Sequence, residues 1–375
     1  MNLYIHLPFC RKKCHYCDFH SYPGVSASGV RRYLQALTRE MELVAAALRP
    51  GKADTLYLGG GTPTYLSGGD LLGLISRVRN ILGIEETAEI TLEANPGTVT
   101  LPKLKALRAV GVNRLSLGAQ SFNDNMLRAM GRIHRTEEIY QAFDWARKAG
   151  FENINLDLIY GLPGQSLSDW EDTLNRALAL EPEHLSTYAL ELTPETVWGR
   201  RQAAGKLRPA AEEEVVAMYD RARAKLRAAG YEQYEISNFA RPGWECRHNL
   251  VYWENRPYLG LGAGAASHWE GERWQNYASL EAYCEAVEKG KWPIAEREIL
   301  TRRQQMAETV FLGLRLLRGL SLKEFRNRFG EELVDVYQKE LERLTAWGLV
   351  EVQGDHLRLT EKGIPLANEV FVAFM

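Results

Sequence analysis

Several things are scarce in this 375-residue chain, and each scarcity closes a class of function. No run approaches the roughly 18 uninterrupted apolar residues that a membrane span needs, and the first residues lack the charged-then-apolar layout of an export signal. The expectation is a cytoplasmic protein. Charge of one sign is missing as well: 46 Lys plus Arg face 48 Asp plus Glu, a net charge of -2, so no global field draws the molecule to nucleic acid or an anionic membrane. Cysteine is sparse, with five in all, and three of these crowd into eight positions, which is no disulfide framework. With 45% hydrophobic residues the chain has enough apolar surface for one large core and a smaller second one.

The crowded cysteines are Cys10, Cys14 and Cys17, a CxxxCxxC run directly after the apolar stretch Leu3 to Phe9. Thiolates at this spacing can close on three irons of a [4Fe-4S] cubane and leave the fourth iron without a protein ligand. S-adenosylmethionine, which carries an amine and a carboxylate, can chelate such an iron. Structural zinc normally takes four ligands in CxxC-type pairs, and no second pair follows within reach. Cys284 lies in a helix-like stretch and reads as a small buried residue.

Up to about residue 190, short apolar strands alternate with amphipathic helices, the pattern of parallel βαβ units. Strands are expected at Leu3 to Leu7, Thr55 to Leu58, Glu89 to Glu93, Arg114 to Leu117, Asn153 to Leu158 and His184 to Tyr188. The fold class that follows is α/β, a partial (β/α)6 barrel, whose chemistry sits at the carboxyl ends of the strands. Residues 191–293 read as a less regular extension with one clear helix, Glu212 to Ala229. From 294 to 375 helical spacing (Met306, Val310, Leu314, Leu317) gives way to a hairpin signal across Gly354-Asp355, a winged-helix-like α+β pattern. Residues 301–375 hold 11 basic and 11 acidic residues, no excess for a nucleic-acid reader.

The motif Tyr4-Ile-His-Leu-Pro-Phe-Cys10, with Tyr16-Cys17-Asp-Phe19, resembles the radical-SAM proteins of the oxygen-independent coproporphyrinogen III oxidase group. The resemblance implies a set of cofactor contacts at successive strand ends: Gly60, Gly61 and Thr62, then Glu93, Gln120, Arg132 and Asp157, with Tyr4 and Tyr16 flanking the thiols. Glycines admit a ligand close to backbone, and Arg132 could fork onto the methionyl carboxylate. Arg11, Lys12 and Lys13 could meet an acidic, flavodoxin- or ferredoxin-like electron donor.

Within that group two activities remain open. The oxidases carry a further cysteine where this chain has Phe19, and an N-terminal extension that this chain lacks. Its string His248-Asn-Leu-Val-Tyr252-Trp253, preceded by Cys246, resembles instead the haem-chaperone branch. An imidazole can bind haem iron axially, so His248 is the expected haem ligand, with His268 a second choice and Arg247 or Arg256 near the propionates. The expected partners are haem and haem-requiring acceptor proteins, membrane respiratory enzymes among them. The competing reading is a radical-SAM decarboxylase of porphyrinogens.

Overall fold

The computed structural model describes all residues, 1–375. Parallel strands β1 (Asn2–Leu7), β2 (Ala53–Gly60), β3 (Ile84–Ala94), β4 (Arg114–Gln120), β5 (Asn153–Tyr160) and β6 (His184–Ala189) alternate with helices as the sequence pattern requires. Helix starts are fixed by local chemistry. Ser26, Ser67, Thr100 and Ser166 each accept a bond from a backbone N–H of the first turn, satisfying a donor the helix itself leaves free.

Each strand has two faces of different character. Leu56, Leu58, Leu92, Leu115, Leu117, Leu156 and Leu158 point outward and are fully buried under the helices. Their alternate neighbours point into the barrel and are polar: Thr55 and Tyr57, Glu89 and Glu93, Arg114 and Ser116, Asn155 and Asp157, His184 and Ser186. The interior is therefore filled by polar side chains, most of them hydrogen-bonded, rather than by hydrocarbon.

The segment expected to be irregular supplies further strands. After β7 (Glu232–Gln233) and β8 (Asn238–Ala240), β9 (Leu259–Leu261) pairs in parallel with β1, giving the sheet order β9-β1-β2-β3-β4-β5-β6-β8-β7. An antiparallel sheet of Ala266–Trp269, Glu272–Asn276 and Ile294–Ile299 follows. These strands are too short and too rich in glycine and aromatics to show a two-residue period. They are held by pairing and by buried Glu40, which accepts bonds from Gly262 N (2.8 Å), Asn276 Nδ2 (2.6 Å) and Tyr283 Oη (2.6 Å).

The last segment has the expected helices and hairpin, with Gly354 at φ 59° in the turn between Val350–Gln353 and His356–Leu359. It packs where the barrel sheet stops. Arg315 pairs with buried Glu235 at 3.4 Å and lies over the Trp253 ring, while Leu317 N donates to Tyr234 O at 3.0 Å. One continuous apolar core runs from Leu3 to Phe374. No helix is long and apolar enough to cross a membrane.

Candidate functional site

The carboxyl ends of β1 to β6 open on a cavity of about 430 Å³. Cys10, Cys14, Tyr16 and Cys17 come to it from the loop after β1, and Gly60, Gly61 and Thr62 from the end of β2 and the turn that follows. Glu93, Gln120 and Asp157 come from the next strands, and Arg132 from the turn beyond the helix Asp124–Ala129. Eleven of the thirteen residues singled out in the sequence thus line this one cavity.

The thiol loop is closed at its base by a short parallel bridge between Phe9–Cys10 and Tyr22–Pro23. Cys10 Sγ lies 3.5 Å from Thr62 Oγ1, and Arg132 Nη1 is directed at Cys14 Sγ at 3.6 Å. Burial pushes the Cys17 thiol up to about 11, and also raises Cys10, so both need a cationic partner to become thiolates. No three acidic, histidine or cysteine side chains are gathered tightly enough to cage a single ion. A cubane spreads its thiolates more widely than one ion does, and three thiols round one cavity suit it.

The opposite wall has the complementary chemistry. Glu93 accepts from Tyr57 Oη at 2.9 Å and Gly60 N at 3.0 Å. Asp157 accepts from Ser116 Oγ at 2.9 Å and Asn155 Nδ2 at 2.8 Å. Burial raises both carboxyls, and for Glu93, lifted to about 7, the neighbouring Asp157 charge adds to it. Arg132 Nη2 is bonded to Gly118 O at 2.5 Å, yet its Nε is buried with no partner. A buried guanidinium N–H without an acceptor is costly, and a ligand carboxylate would satisfy it.

Backbone geometry adds to the fit. A Cβ on Gly61 would lie 2.8 Å from Phe9 O and 3.1 Å from Cys10 Sγ, so only glycine lets the β2 turn close on the thiol loop. Gln120 takes φ 66°, a left-handed conformation that costs a non-glycine residue about 1 kcal/mol and sits here at the cavity wall. Three thiols, two carboxylates and an arginine short of one acceptor are a donor set that fits a cluster with a zwitterionic sulfonium ligand.

Two expected contacts lie elsewhere. Tyr4 does not line the cavity; its Oη meets His6 Nδ1 at 2.9 Å, and His6 Nε2 meets His20 O at 2.8 Å, so Tyr4 stands one layer behind the wall. His248 is the larger correction. It is 1% exposed on the helix Arg247–Trp253, which closes the amino-terminal end of the barrel, away from the thiols. Its Nδ1 is bonded to Thr55 Oγ1 at 2.8 Å and its Nε2 to Tyr252 Oη at 2.9 Å, leaving neither nitrogen for iron. Glu89 caps this helix by accepting from Arg247 N and His248 N, each at 3.0 Å. The neighbouring candidates are engaged too: Cys246 is fully buried beside Glu89, Arg256 pairs with Glu254 at 2.8 Å, and His268 is buried.

Sequence reasoning passed over Tyr57, Ser116, Ile159 and Tyr188, which also line the cavity. The signal was available: Ile159 sits two residues from Asp157, Tyr57 and Ser116 stand in step with Tyr4 and Glu93 on the next strand, and Tyr188 in turn stands in step with Ile159, all on the inward face.

The radical SAM superfamily matches residues 4–177, and the HemN C-terminal domain matches 300–366. The chain is 40% identical over 375 residues to the haem chaperone HemW of Bacillus subtilis (strain 168), covering 99% of this chain and 98% of that protein. The chain belongs to the HemW family. The HemW of Escherichia coli (strain K12) is 33% identical, with 100% of this chain and 98% of that protein covered. Among solved structures, the E. coli coproporphyrinogen III oxidase HemN, described as a radical SAM enzyme, shares 28% identity and a TM-score of 0.87, covering 100% of this chain and 89% of that one. This chain and the HemN oxidase thus share one architecture.

Proposed function

We propose that this HemW-family chain is a cytoplasmic haem chaperone, which binds haem and passes it to haem-requiring acceptor proteins. The observation that carries this reading is the 40% identity with a HemW relative over essentially the whole of both chains. Phe19, 63% exposed, stands where the oxidases carry a further cysteine, which weighs against the decarboxylase that the shared HemN fold would otherwise suggest.

Cys10, Cys14 and Cys17 would hold a [4Fe-4S] cluster. Arg132, through its unpartnered Nε, would take the carboxylate of S-adenosylmethionine, while Glu93 and Asp157 accept from its ammonium and ribose hydroxyls. When bound, the pair supplies one-electron chemistry. The protein's part is to hold these groups oriented: Gly61 admits the close approach, and Glu93 and Asp157 are each fixed in place by two protein donors. Arg11, Lys12 and Lys13 are exposed on the thiol loop and would receive an acidic flavodoxin- or ferredoxin-like donor. Haem iron requires a ligand other than His248 unless the helix Arg247–Trp253 leaves the barrel floor.

The test is anaerobic incubation of the reconstituted chain with reductant, S-adenosylmethionine, haem and coproporphyrinogen III, with every product read by mass. Retained haem and intact porphyrinogen support the chaperone. Stoichiometric loss of carboxyl groups from the porphyrinogen would move the chain to the oxidases.

A further inference from the structure

Between the second and third thiols lies His15, which has no place in the cofactor site. It is nonetheless the most firmly held residue of that loop. Its N–H donates to Met130 O at 2.9 Å, its Nδ1 lies 2.8 Å from Ala129 O, and its own carbonyl accepts from Trp198 N at 2.9 Å. A carbonyl can only accept, so Nδ1 carries the proton. Gly131, at φ 76°, makes room for the ring, since a Cβ there would lie 3.0 Å from His15 Nε2.

Both anchors of His15 lead back to the cavity. The Met130–Gly131 turn is the one that delivers Arg132, whose Nη1 is aimed at Cys14. Trp198 belongs to the helix Val197–Ala203, which Leu190 and Glu191 of the cavity wall precede in the chain. Its ring faces Tyr16 at 6.2 Å, and with Met130, Ile159 and Leu162 it forms an apolar cluster separate from the main core. We infer that His15 and Trp198 form a clamp that positions Cys14 and Cys17 relative to Arg132, so that the 190–203 segment governs how firmly the thiol loop keeps its cluster. The inference rests on the reading that these thiols hold one.

The test compares the full chain with His15→Ala, His15→Asn and Trp198→Ala, with Trp347→Ala, exposed in the last segment, as control. Asn keeps a side-chain donor close to the Nδ1 position and serves as the conservative rescue. Iron release to a chelator from reconstituted protein is expected to quicken about tenfold in His15→Ala, the factor carried by one lost hydrogen bond of ordinary strength, and at least as much in Trp198→Ala, which keeps its backbone bond to His15 O but loses the ring that packs against Tyr16 and Met130. His15→Asn and the control should stay near the parent, and the electron paramagnetic spectrum of the reduced cluster should broaden in the two Ala variants only. Hydrogen exchange on the metal-free chain reads the clamp without iron: amides of residues 10–20 should exchange faster in the Ala variants while the barrel strands do not change. Parent-like release and exchange in both Ala variants would overturn the clamp, as would equal loss in His15→Asn. A parent that takes up no iron would instead remove the cluster, leaving exchange to judge the clamp.

Discussion

Replacing His248 by Ala should destabilise the chain by an amount that shrinks in acid. The substitution removes two buried hydrogen bonds, to Thr55 and Tyr252, each contributing roughly 1 kcal/mol. It also empties the space beneath the Tyr57 ring, which stacks on the imidazole at 5.2 Å, for about 1 kcal/mol more in lost packing. The gap at about pH 7.5 is then about 3 kcal/mol. Burial, reinforced by the Arg114 guanidinium, holds the folded-state pKa down to about 3 from an ordinary 6.5. Below 6.5 the unfolded chain therefore takes up a proton that the folded chain refuses, and the contribution falls by about 1.4 kcal/mol per pH unit as pH drops toward 3. The Ala variant has no such proton to bind. Tyr57 and Tyr252, which face the ring, are raised by burial and stay neutral throughout, while the raised carboxyls Glu40 and Glu93 are common to both proteins and cancel. At about pH 5 the gap should have closed to about 1 kcal/mol. Urea unfolding of both proteins at the two pH values measures it. A gap under 1 kcal/mol in neutral buffer, or one of about 3 kcal/mol that persists in acid, would refute the account of His248 as a neutral keystone of the barrel floor.

Other outcomes follow from the cavity wall. Cys14→Ser should abolish the visible absorbance of the iron–sulfur centre while leaving the circular dichroism unchanged, because the core does not include this half-exposed loop. Arg132→Ala should weaken S-adenosylmethionine binding by about tenfold to a hundredfold, since a charged hydrogen-bonding group contributes about 1.5–3 kcal/mol, and isothermal calorimetry with the reconstituted chain reads it. Gly61→Ala should cost about 1–3 kcal/mol and reduce iron uptake on reconstitution, because its Cβ would meet Phe9 O at 2.8 Å. Glu40→Ala should cost about 3 kcal/mol or more in thermal or urea unfolding, as it leaves Gly262 N, Asn276 and Tyr283 without their buried acceptor.

Much of the barrel was legible because its periods are local. Leu56 and Leu58 alternate with Thr55 and Tyr57 within one strand, and Ser26 or Ser166 announces the helix it caps. The thiol loop and the strand-end carboxylates were legible for a similar reason, each lying a few residues past an apolar run. What could not be read depends on partners far away in sequence. Strand β9 has only Leu259 to Leu261 and exists because β1 offers it an edge. Whether His248 is a free ligand or a satisfied core residue depends on Thr55 and Glu89, from strands β2 and β3, and no local pattern reveals that.

The pairing of β9 with β1 has a consequence for biosynthesis. Asn2 Nδ2 donates to Pro257 O, a bond that spans 255 residues, so β1 is made long before its outer edge is completed. During translation its free edge stays unpaired until Leu259–Leu261 have left the ribosome, and the flank near Glu235 is completed later still, by Arg315. Contacts of such separation slow folding and leave sheet edges exposed meanwhile. Stalling a nascent chain of this kind early would leave an aggregation-prone half-barrel with an open sheet edge.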